Sequence, residues 1–284
     1  MPAPAAILER LRDELAGGRV AALVSVTGWR GSVPRKDHPR ALFLADGTQV
    51  GTVGGGCVDG AARELALRVL ATHERLRHTV ELDGEDADAA GLVCGGVLEL
   101  EAVRFAPGRV DAERVDALLA DPALRAPRLT LFGGGHVGLA VASFVDAVGW
   151  RVYVHDERPE YADASRFPFA AGRASGPVDA AGAWPVPTAA DAVLVATRGH
   201  AQDLDAMRWA VRQPAGYLGL LGSARKRAMI VEKLEREGLA DANLARRLHC
   251  PVGLAIGALS AEEIALATAA ELVAFHRGAD RNEE

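Results

Sequence analysis

Two kinds of apolar pattern occur in the first third of the chain, and each predicts one kind of element. A helical spacing predicts helices, and β-branched segments bounded by glycines or tight turns predict strands. Asp46-Gly47 separates two such strands and favours a hairpin turn. The predicted elements are a helix over 5–16, strands over 19–27, 40–45 and 49–53, a helix through 61–70, and strands over 76–82 and 97–105. Residues 1–106 are therefore predicted to form an α+β domain.

Strands and helices alternate in the second half of the chain. The predicted elements are strands over 129–132, 151–155, 192–196 and 216–221, and helices over about 136–148 and 260–276. This alternation predicts a parallel sheet with helices on both faces, a doubly wound α/β domain over 128–284. Residues 107–127 contain three prolines and one short helical pattern, and we interpret them as a linker.

A glycine motif lies between the first strand and the first helix of this second domain. Gly133, Gly135 and Gly138 form G-x-G-x-x-G, whose glycines allow a tight turn, close approach of a pyrophosphate and close packing of the helix. The helix N-terminus then faces the phosphates. Asp156 ends the next strand, where an acid can bond a ribose 2′-hydroxyl. The second domain is therefore predicted to be Rossmann-like.

The ligand of this domain is left open by the sequence. A Rossmann fold can be retained without a nicotinamide ligand, and Arg158 lies near enough to Asp156 to meet a 2′-phosphate, so NAD and NADP are both possible. His136 and His200 follow predicted strands, so both are candidates to border the crevice at the carboxyl ends of the strands. An ordinary hydrogen-bonded side chain is the commoner role of a single histidine.

Two cysteines with glycine neighbours are candidates for ligand or metal contact in the first domain. Cys57 follows Gly54, Gly55 and Gly56 at the start of a predicted helix, and Cys94 precedes two glycines just before a strand. A helix N-terminus stabilises a thiolate, and thiolates contact soft metals or sulfur. Each cysteine alone is also compatible with a small buried side chain. The spacing is not that of a zinc site.

A polar segment, 27–35, is predicted to be a loop that suits an anion, because it carries Arg30 and Arg35 beside Ser32 and Lys36. A solvated turn with incidental charges is the alternative. The third cysteine, Cys250, precedes a proline and an apolar residue, and we assign it a packing role.

Composition narrows the function classes. The chain has 284 residues, 49% apolar and 25% charged, enough for two compact domains and unlike a disordered or fibrous protein. A net charge of −6 with dispersed basic residues gives no surface for nucleic acid or an anionic membrane. The N-terminus lacks the features of a signal peptide, and no apolar stretch approaches the roughly 20 residues that span a bilayer. We expect a cytoplasmic protein without a disulfide framework.

Segments along nearly the whole chain resemble the XdhC/CoxI family of molybdenum hydroxylase accessory proteins. They are RGSVPR (30–35), GTVGGGCVDGAARE (51–64), VCGG (93–96), LFGGGHVG (131–138), VHDERPEY (154–161), VATRGHAQD (195–203), GYLGLLGSARKRA (216–228) and PVGLAIGALSAEEIALATAAELVA (251–274). Trp29, where a smaller residue is expected, and Asp59, where glutamate is expected, depart from the family pattern.

The resemblance implies a family-specific N-terminal domain, a Rossmann-like C-terminal domain, and a chaperone for the molybdenum cofactor, as molybdopterin or its dinucleotide form. Its implied partners are an apo hydroxylase of the xanthine dehydrogenase type and a cysteine desulfurase-type sulfur donor, and it implies that Cys57 and Cys94 meet the molybdenum or its sulfur ligands. No histidine or carboxylate pair suggests a general base, so we assign no catalytic residue. The alternatives are an NAD(P)-dependent oxidoreductase and a nucleotide-sensing regulatory protein. A homodimer is the default expectation.

Overall fold

A computed structural model describes residues 4–34, 36–82, 95–121, 125–178 and 184–279. The chain divides into two compact units, Met1–Arg125 and Ala126–Glu284. Within the described ranges, no helix is long and apolar enough to cross a membrane.

The first unit is an antiparallel sheet with helices on both faces. Its elements are α1 (Pro4–Ala16), β1 (Ala21–Gly31), β2 (Arg40–Leu44), β3 (Gln49–Gly51), α2 (Gly56–Thr72), β4 (Leu76–Glu81), β5 (Gly96–Phe105) and α3 (Arg109–Ala120). The strand order is β3-β2-β1-β5-β4, and each neighbouring pair is antiparallel. The predicted hairpin at Asp46-Gly47 is confirmed, because β2 and β3 pair across it.

Each face of this sheet has its own apolar core. On one face α2 contributes Val58, Leu65 and Val69, which pack with strand residues such as Val24 and Leu100. On the other face the core includes residues of α1, the sheet and α3, among them Leu8, Leu11, Leu23, Leu42 and Val115.

The segment expected to be a linker contains α3, and that helix belongs to the first unit. Val115 of α3 is fully buried in the same core as Ile7 and Leu8 of α1. The first unit therefore extends beyond residue 106. The polar segment expected to be a loop also differs, because β1 continues to Gly31 along β5 and includes Arg30.

The second unit is a parallel sheet. Its elements are β6 (Arg128–Phe132), α4 (His136–Ala147), β7 (Arg151–Asp156), a 3-10 turn (Pro159–Tyr161), β8 (Gly172–Ser175), β9 (Ala192–Val195), α5 (His200–Val211), β10 (Tyr217–Leu220), α6 (Ala224–Arg236), α7 (Leu244–Arg247), β11 (Leu248–His249) and α8 (Ala261–Arg277). The strand order is β11-β10-β9-β6-β7-β8, with each pair parallel. Counted from β6, this is the Rossmann order 3-2-1-4-5-6, so the predicted fold is confirmed.

Helices cover both faces of the parallel sheet, as a doubly wound fold requires. On one face, α4 and α8 pack through Val141, Val145, Ala265 and Leu272. On the other, α5 and α6 pack through residues such as Met207 and Ile230. A capping box begins α8, since Ser260 and Glu263 exchange hydrogen bonds with each other's backbone N–H groups. β7 and β8 lie on one side of β6, and β9, β10 and β11 lie on the other, so the strand order switches between β6 and β9. Such a switch point opens a crevice at the carboxyl ends of the strands.

Candidate functional site

The glycine turn of the second unit joins β6 to α4, and the space for a side chain differs between its glycine positions. Gly133 has φ 109°, and a Cβ there would collide with the carbonyl oxygen of Ala196. A Cβ on Gly138 would collide with the carbonyl oxygen of Gly133. A Cβ on Gly135 would meet nothing within 4 Å. The packing of the fold therefore requires Gly133 and Gly138, whereas Gly135 leaves open space at the N-terminus of α4.

Asp156 is buried at the end of β7 and holds this turn in place. Its Oδ2 accepts a hydrogen bond from the backbone N–H of Gly134 at 2.9 Å, and its Oδ1 accepts one from Nε of Arg158 at 2.9 Å. Burial by itself would raise the pKa of Asp156, but the hydrogen bonds from Arg158 and Gly134 outweigh it and hold the pKa below its ordinary value. Asp156 is therefore an ionised carboxylate that ties the second strand to the glycine turn.

Arginines hold the segment after β7. The guanidinium carbon of Arg158 lies 3.4 Å from the centroid of the Tyr161 ring. Arg166 donates a hydrogen bond from Nη2 to the carbonyl oxygen of Gly134, at 3.0 Å. The turn at Gly134 is thus held through its N–H by Asp156 and through its carbonyl by Arg166.

The two histidine candidates lie at the carboxyl edge of the sheet. His136 is the first residue of α4, which follows β6, and His200 is the first residue of α5, which follows β9. Both are exposed. Because β6 and β9 are neighbours, both of these helix starts lie at the switch point.

A cavity of about 120 Å³ lies beside the turn, on the side of the sheet that α5 covers. Its lining includes Gly133 and the loops that follow β7 and β9. An ion pair between Arg198 and Glu157, at 2.8 Å, joins those two loops. The sequence motifs give no sign of this pair, because its partners are distant in the chain.

A buried ion pair lies further along the same edge. Asp203 of α5 is fully buried, accepts a hydrogen bond from Oγ1 of Thr197 at 2.7 Å, and pairs with Nζ of Lys226 on α6. Cys250 is half-buried near Gly222, and burial raises the pKa of its thiol. Cys250 also packs against the α5 and α6 core, which agrees with the packing role predicted for it.

The glycine turn of the first unit joins β3 to α2. Gly55 has φ 78° and Gly56 has φ 49°, in the left-handed region that favours glycine. Asp59 reaches back from the first turn of α2, where it accepts hydrogen bonds from the backbone N–H of Val53 at 2.8 Å and from the Thr52 hydroxyl at 2.6 Å. Aspartate therefore serves at the position where glutamate is expected. A Cβ on Gly55 would meet nothing within 4 Å, so the turn is open to a ligand.

The first-unit candidates lie at one end of the antiparallel sheet. Gly31 at the end of β1 pairs with Gly96 at the start of β5, and Gly51 leads into the turn at the same end. Cys57 at the start of α2 is half-buried and packs against the α2 core, as does Trp29 of β1. Arg30 is 83% exposed, with Nη2 3.9 Å from Oε1 of Glu99. The structure therefore places Arg30, Gly54, Gly55, Gly56 and Cys57 at the same end of the sheet.

Arg35 and Cys94 lie outside the described residues. The neighbour of Cys94, Gly95, is described and lies against Gly31, whose Cβ would collide with it at 2.8 Å. Among the residues that the structure describes, no three His, Cys, Asp or Glu side chains are grouped to hold a metal ion.

Comparison with known proteins identifies the family to which this chain belongs. Together the fold and the two glycine turns define a protein with an antiparallel α+β unit followed by a Rossmann unit. The XdhC Rossmann domain matches residues 129–272, and the XdhC and CoxI family matches residues 14–83. The chain belongs to the XdhC and CoxI family.

Relatives support this assignment over most of the chain. YqeB of Escherichia coli is 33% identical over 89% of this chain, which spans 43% of YqeB. A Bacillus subtilis protein described as a probable xanthine dehydrogenase subunit is 25% identical, over 89% of this chain and 92% of the relative. The molybdenum cofactor insertion chaperone PaoD of Escherichia coli is 27% identical, over 96% of this chain and 90% of PaoD. A Bacillus halodurans crystal structure described as a xanthine dehydrogenase shares the fold, with a TM-score of 0.76, 20% identity and coverage of 99% of this chain and 98% of that one.

Proposed function

We propose that this protein is a cytoplasmic chaperone that binds the molybdenum cofactor, as molybdopterin or its dinucleotide form, and delivers it to an apo hydroxylase of the xanthine dehydrogenase type. The observation that carries the proposal is the open glycine turn, which puts the Cys57 thiol at the N-terminus of α2. Membership of the XdhC and CoxI family and similarity to a molybdenum cofactor insertion chaperone support it.

The residues of the first unit suit such a cargo. Cys57 lies in the first turn of α2, and cysteine sulfur is a soft ligand suited to a metal with sulfur ligands. The turn at Gly54, Gly55 and Gly56 leaves room for a bulky group to reach the backbone, and Arg30 offers an exposed guanidinium for a phosphate. By their places in the same sequence motifs, Cys94 and Arg35 are proposed to complete this site.

The second unit is proposed to take the diphosphate of a bound nucleotide, either the dinucleotide form of the cofactor or NAD(P). Gly135 leaves space for the diphosphate at the N-terminus of α4, and Gly133 and Gly138 form the turn that creates this space. Asp156, His136 and His200 lie at the same edge of the sheet and are proposed to border this space.

Delivery requires partners, which we propose to be the apo hydroxylase and a cysteine desulfurase-type protein that supplies the sulfur ligand of the cofactor. We propose that the chaperone acts as a homodimer, the commonest state of soluble oligomers. Its role is to carry the cofactor rather than to catalyse a reaction on it.

A transfer experiment tests this function. The purified protein, loaded with cofactor in a molybdate-fed host, is mixed with apo hydroxylase, and molybdenum bound to the hydroxylase is measured after the two are separated. The hydroxylase should gain molybdenum, and its activity should rise in proportion to the molybdenum that it gains. No transfer from a fully loaded protein would contradict the proposal.

A second candidate function is favoured by the cavity in the Rossmann unit, which suits an NAD(P)-dependent oxidoreductase or a nucleotide-sensing regulatory protein. Oxidation of NADH or NADPH by the purified protein with an added two-electron acceptor, together with a hydroxylase that is fully active in cells lacking this protein, would favour the oxidoreductase. Nucleotide binding without turnover, together with a change in the hydroxylase's activity, would favour the sensor.

A further inference from the structure

Two neighbouring helices of the Rossmann unit carry apolar side chains on the side that faces away from the sheet. α4 and α8 lie on the same face of the parallel sheet, and their buried residues share one core. Phe144 of α4 is nevertheless 39% exposed, Val148 directly after α4 is 61% exposed, and Leu266 of α8 is 51% exposed. A helix that is apolar on all sides is normally covered, so this surface is a candidate for contact with another molecule.

The exposed side of α4 offers little to water. After His136 at its start, the exposed residues of this helix are Ser143, Phe144 and Ala147, none of which is charged. The Ser143 hydroxyl donates a hydrogen bond to the carbonyl oxygen of Leu139, at 2.9 Å, so it is satisfied within the helix. Covering this apolar surface with another apolar surface would therefore be favourable.

The outer stripe of α8 is apolar in its middle and charged at its two ends. It consists of residues spaced three or four apart, which lie along one side of a helix: Glu262, Leu266, Ala270, Val273 and Arg277. Ala270 and Val273 are half-buried, and the other three are exposed. Neither Glu262 nor Arg277 forms an ion pair within the part of the chain that the structure describes, so both charges are available to a partner.

This stripe is complementary to itself when two copies of α8 pack antiparallel. In a contact with twofold symmetry, a residue that meets a second residue of the other copy is met by that second residue in return. When Glu262 lies opposite Arg277 of the other copy, the same spacing puts Leu266 opposite Val273. Ala270 then lies beside Ala270 of the other copy, where its small side chain lets the two helices approach closely. Apolar contacts in the middle and an ion pair at each end follow from one register.

We infer that two copies of this protein associate through the outer face of α4 and α8, with their α8 helices antiparallel about a twofold axis near Ala270. Phe144 and Val148 widen the apolar part of this interface beside α8. The inference rests on the homodimer proposed above and not on delivery of the cofactor. A membrane surface is a poorer partner, because helices that lie on membranes are rich in Lys and Arg, whereas this face carries Glu262 and the chain has a net charge of −6.

Analytical ultracentrifugation of the purified full-length protein, over a range of micromolar concentrations, tests the inference. The wild-type protein should sediment as a dimer. Leu266→Glu puts a carboxylate from each copy into the apolar part of the interface, so it should raise the dissociation constant of the dimer by at least about a hundredfold. Leu67→Glu on α2 is the matched control, because Leu67 is also apolar and is 52% exposed, and this variant should remain dimeric.

An exchange of charges tests the antiparallel register. Arg277→Glu brings like charges together at both ends of the α8 pair, so it should raise the dissociation constant of the dimer several-fold to about tenfold. Glu262→Arg should weaken the dimer in the same way. The double variant has opposite charges at both ends again, in exchanged positions, so it should regain most of the wild-type affinity. A change that merely harmed folding would not be rescued by the second substitution.

Circular dichroism shows whether each variant is folded. A monomeric wild-type protein would overturn the inference, whatever other partner then binds this face, and so would a folded Leu266→Glu protein that dimerises like wild type. If Leu266→Glu does not fold, the charge exchange decides, because Glu262 and Arg277 are exposed. Unchanged affinity in both single variants, or no recovery in the double variant, would overturn the inference. These readouts contain no molybdenum, so their failure is distinct from failure of the transfer experiment.

Discussion

The carboxylate of Asp156 accepts a hydrogen bond from the backbone N–H of Gly134, with 2.9 Å between oxygen and nitrogen. The end of the second Rossmann strand thereby holds the turn that follows the first strand. The same carboxylate bonds Arg158, whose guanidinium lies over the Tyr161 ring. One buried side chain thus positions both the glycine turn and the Arg158 guanidinium.

The charge of Asp156 should make stability depend on acid pH. Its pKa is lowered in the folded protein, so the folded state binds this proton less readily than the unfolded chain does. The stabilisation is complete above the ordinary aspartate value of 3.8 and is lost as the pH falls through the lowered folded value. Asp156→Asn lacks this titration, so its free energy of unfolding should fall less than that of wild type between about pH 5 and about pH 3. Urea titrations at each pH measure the difference, and identical pH dependence would contradict the role assigned to Asp156.

The two ends of the glycine turn should respond differently to alanine. Gly133→Ala adds a Cβ at φ 109° that collides with the carbonyl oxygen of Ala196, so it should destabilise the protein by about 1–3 kcal/mol or more. Gly135→Ala adds a Cβ into open space and should leave the free energy of unfolding nearly unchanged. Thermal or urea unfolding of the matched pair checks this, and equal destabilisation by both would contradict the packing described for the turn.

The buried Lys226–Asp203 pair should matter for stability. Lys226→Met leaves the fully buried Asp203 carboxylate without its cation, and removal of one partner of a buried pair costs about 3–5 kcal/mol. Lys233→Met on the exposed face of the same helix is the matched control and should have little effect. Urea unfolding of both variants measures the difference, and a loss of under about 1 kcal/mol for Lys226→Met would argue against a structural role for the pair.

Local patterns predict much of this fold. The glycine spacing around Gly135 identifies the Rossmann turn because strand, turn and helix are contiguous in the chain. The sequence predicts a linker where α3 lies, because Val115 is the one fully buried residue of that helix among the described positions and prolines flank it. The strand β8, Gly172–Ser175, carries no apolar run and is not predicted; only its pairing with β7 makes it a strand.

The sites are predicted less completely than the fold. The sequence suggests that Asp156 meets a ribose, but it cannot show that Gly134 and Arg158 already bond the carboxylate. The pairs Arg198–Glu157 and Lys226–Asp203 join residues far apart in the chain, and only the tertiary fold brings them together. The VHDERPEY segment holds the relevant local signal, since Arg158 and Tyr161 lie three residues apart beside the acid.

Loss of the Cys57 thiol should reduce cofactor retention without unfolding the first unit. Cys57 is half-buried at an open turn, so Cys57→Ala removes the thiol but little packing. Molybdenum and pterin that co-purify with the protein should fall by at least about tenfold, the usual cost of disturbing a metal's coordination. Cys94→Ala should behave similarly.

Cys250→Ala is the control for both cysteine variants, because Cys250 lies in the other unit and packs against its core. It should retain the cofactor at the wild-type level. Full molybdenum occupancy in both Cys57→Ala and Cys94→Ala would remove the thiols from the proposed site.

Cells without this protein should contain the hydroxylase polypeptide, but that polypeptide should carry little molybdenum cofactor. The cofactor is scarce and labile, so without a carrier little of it reaches the apo-enzyme, and its sulfurated form decays first. Molybdenum per hydroxylase polypeptide, measured in deletion and wild-type cells, should fall together with activity in the deletion. Expression of the wild-type chain should restore both, whereas the Cys57→Ala chain, accumulated to the same level, should restore little. Equal molybdenum content and equal activity in deletion and wild-type cells would overturn the chaperone function and return the nucleotide-dependent alternatives to first place.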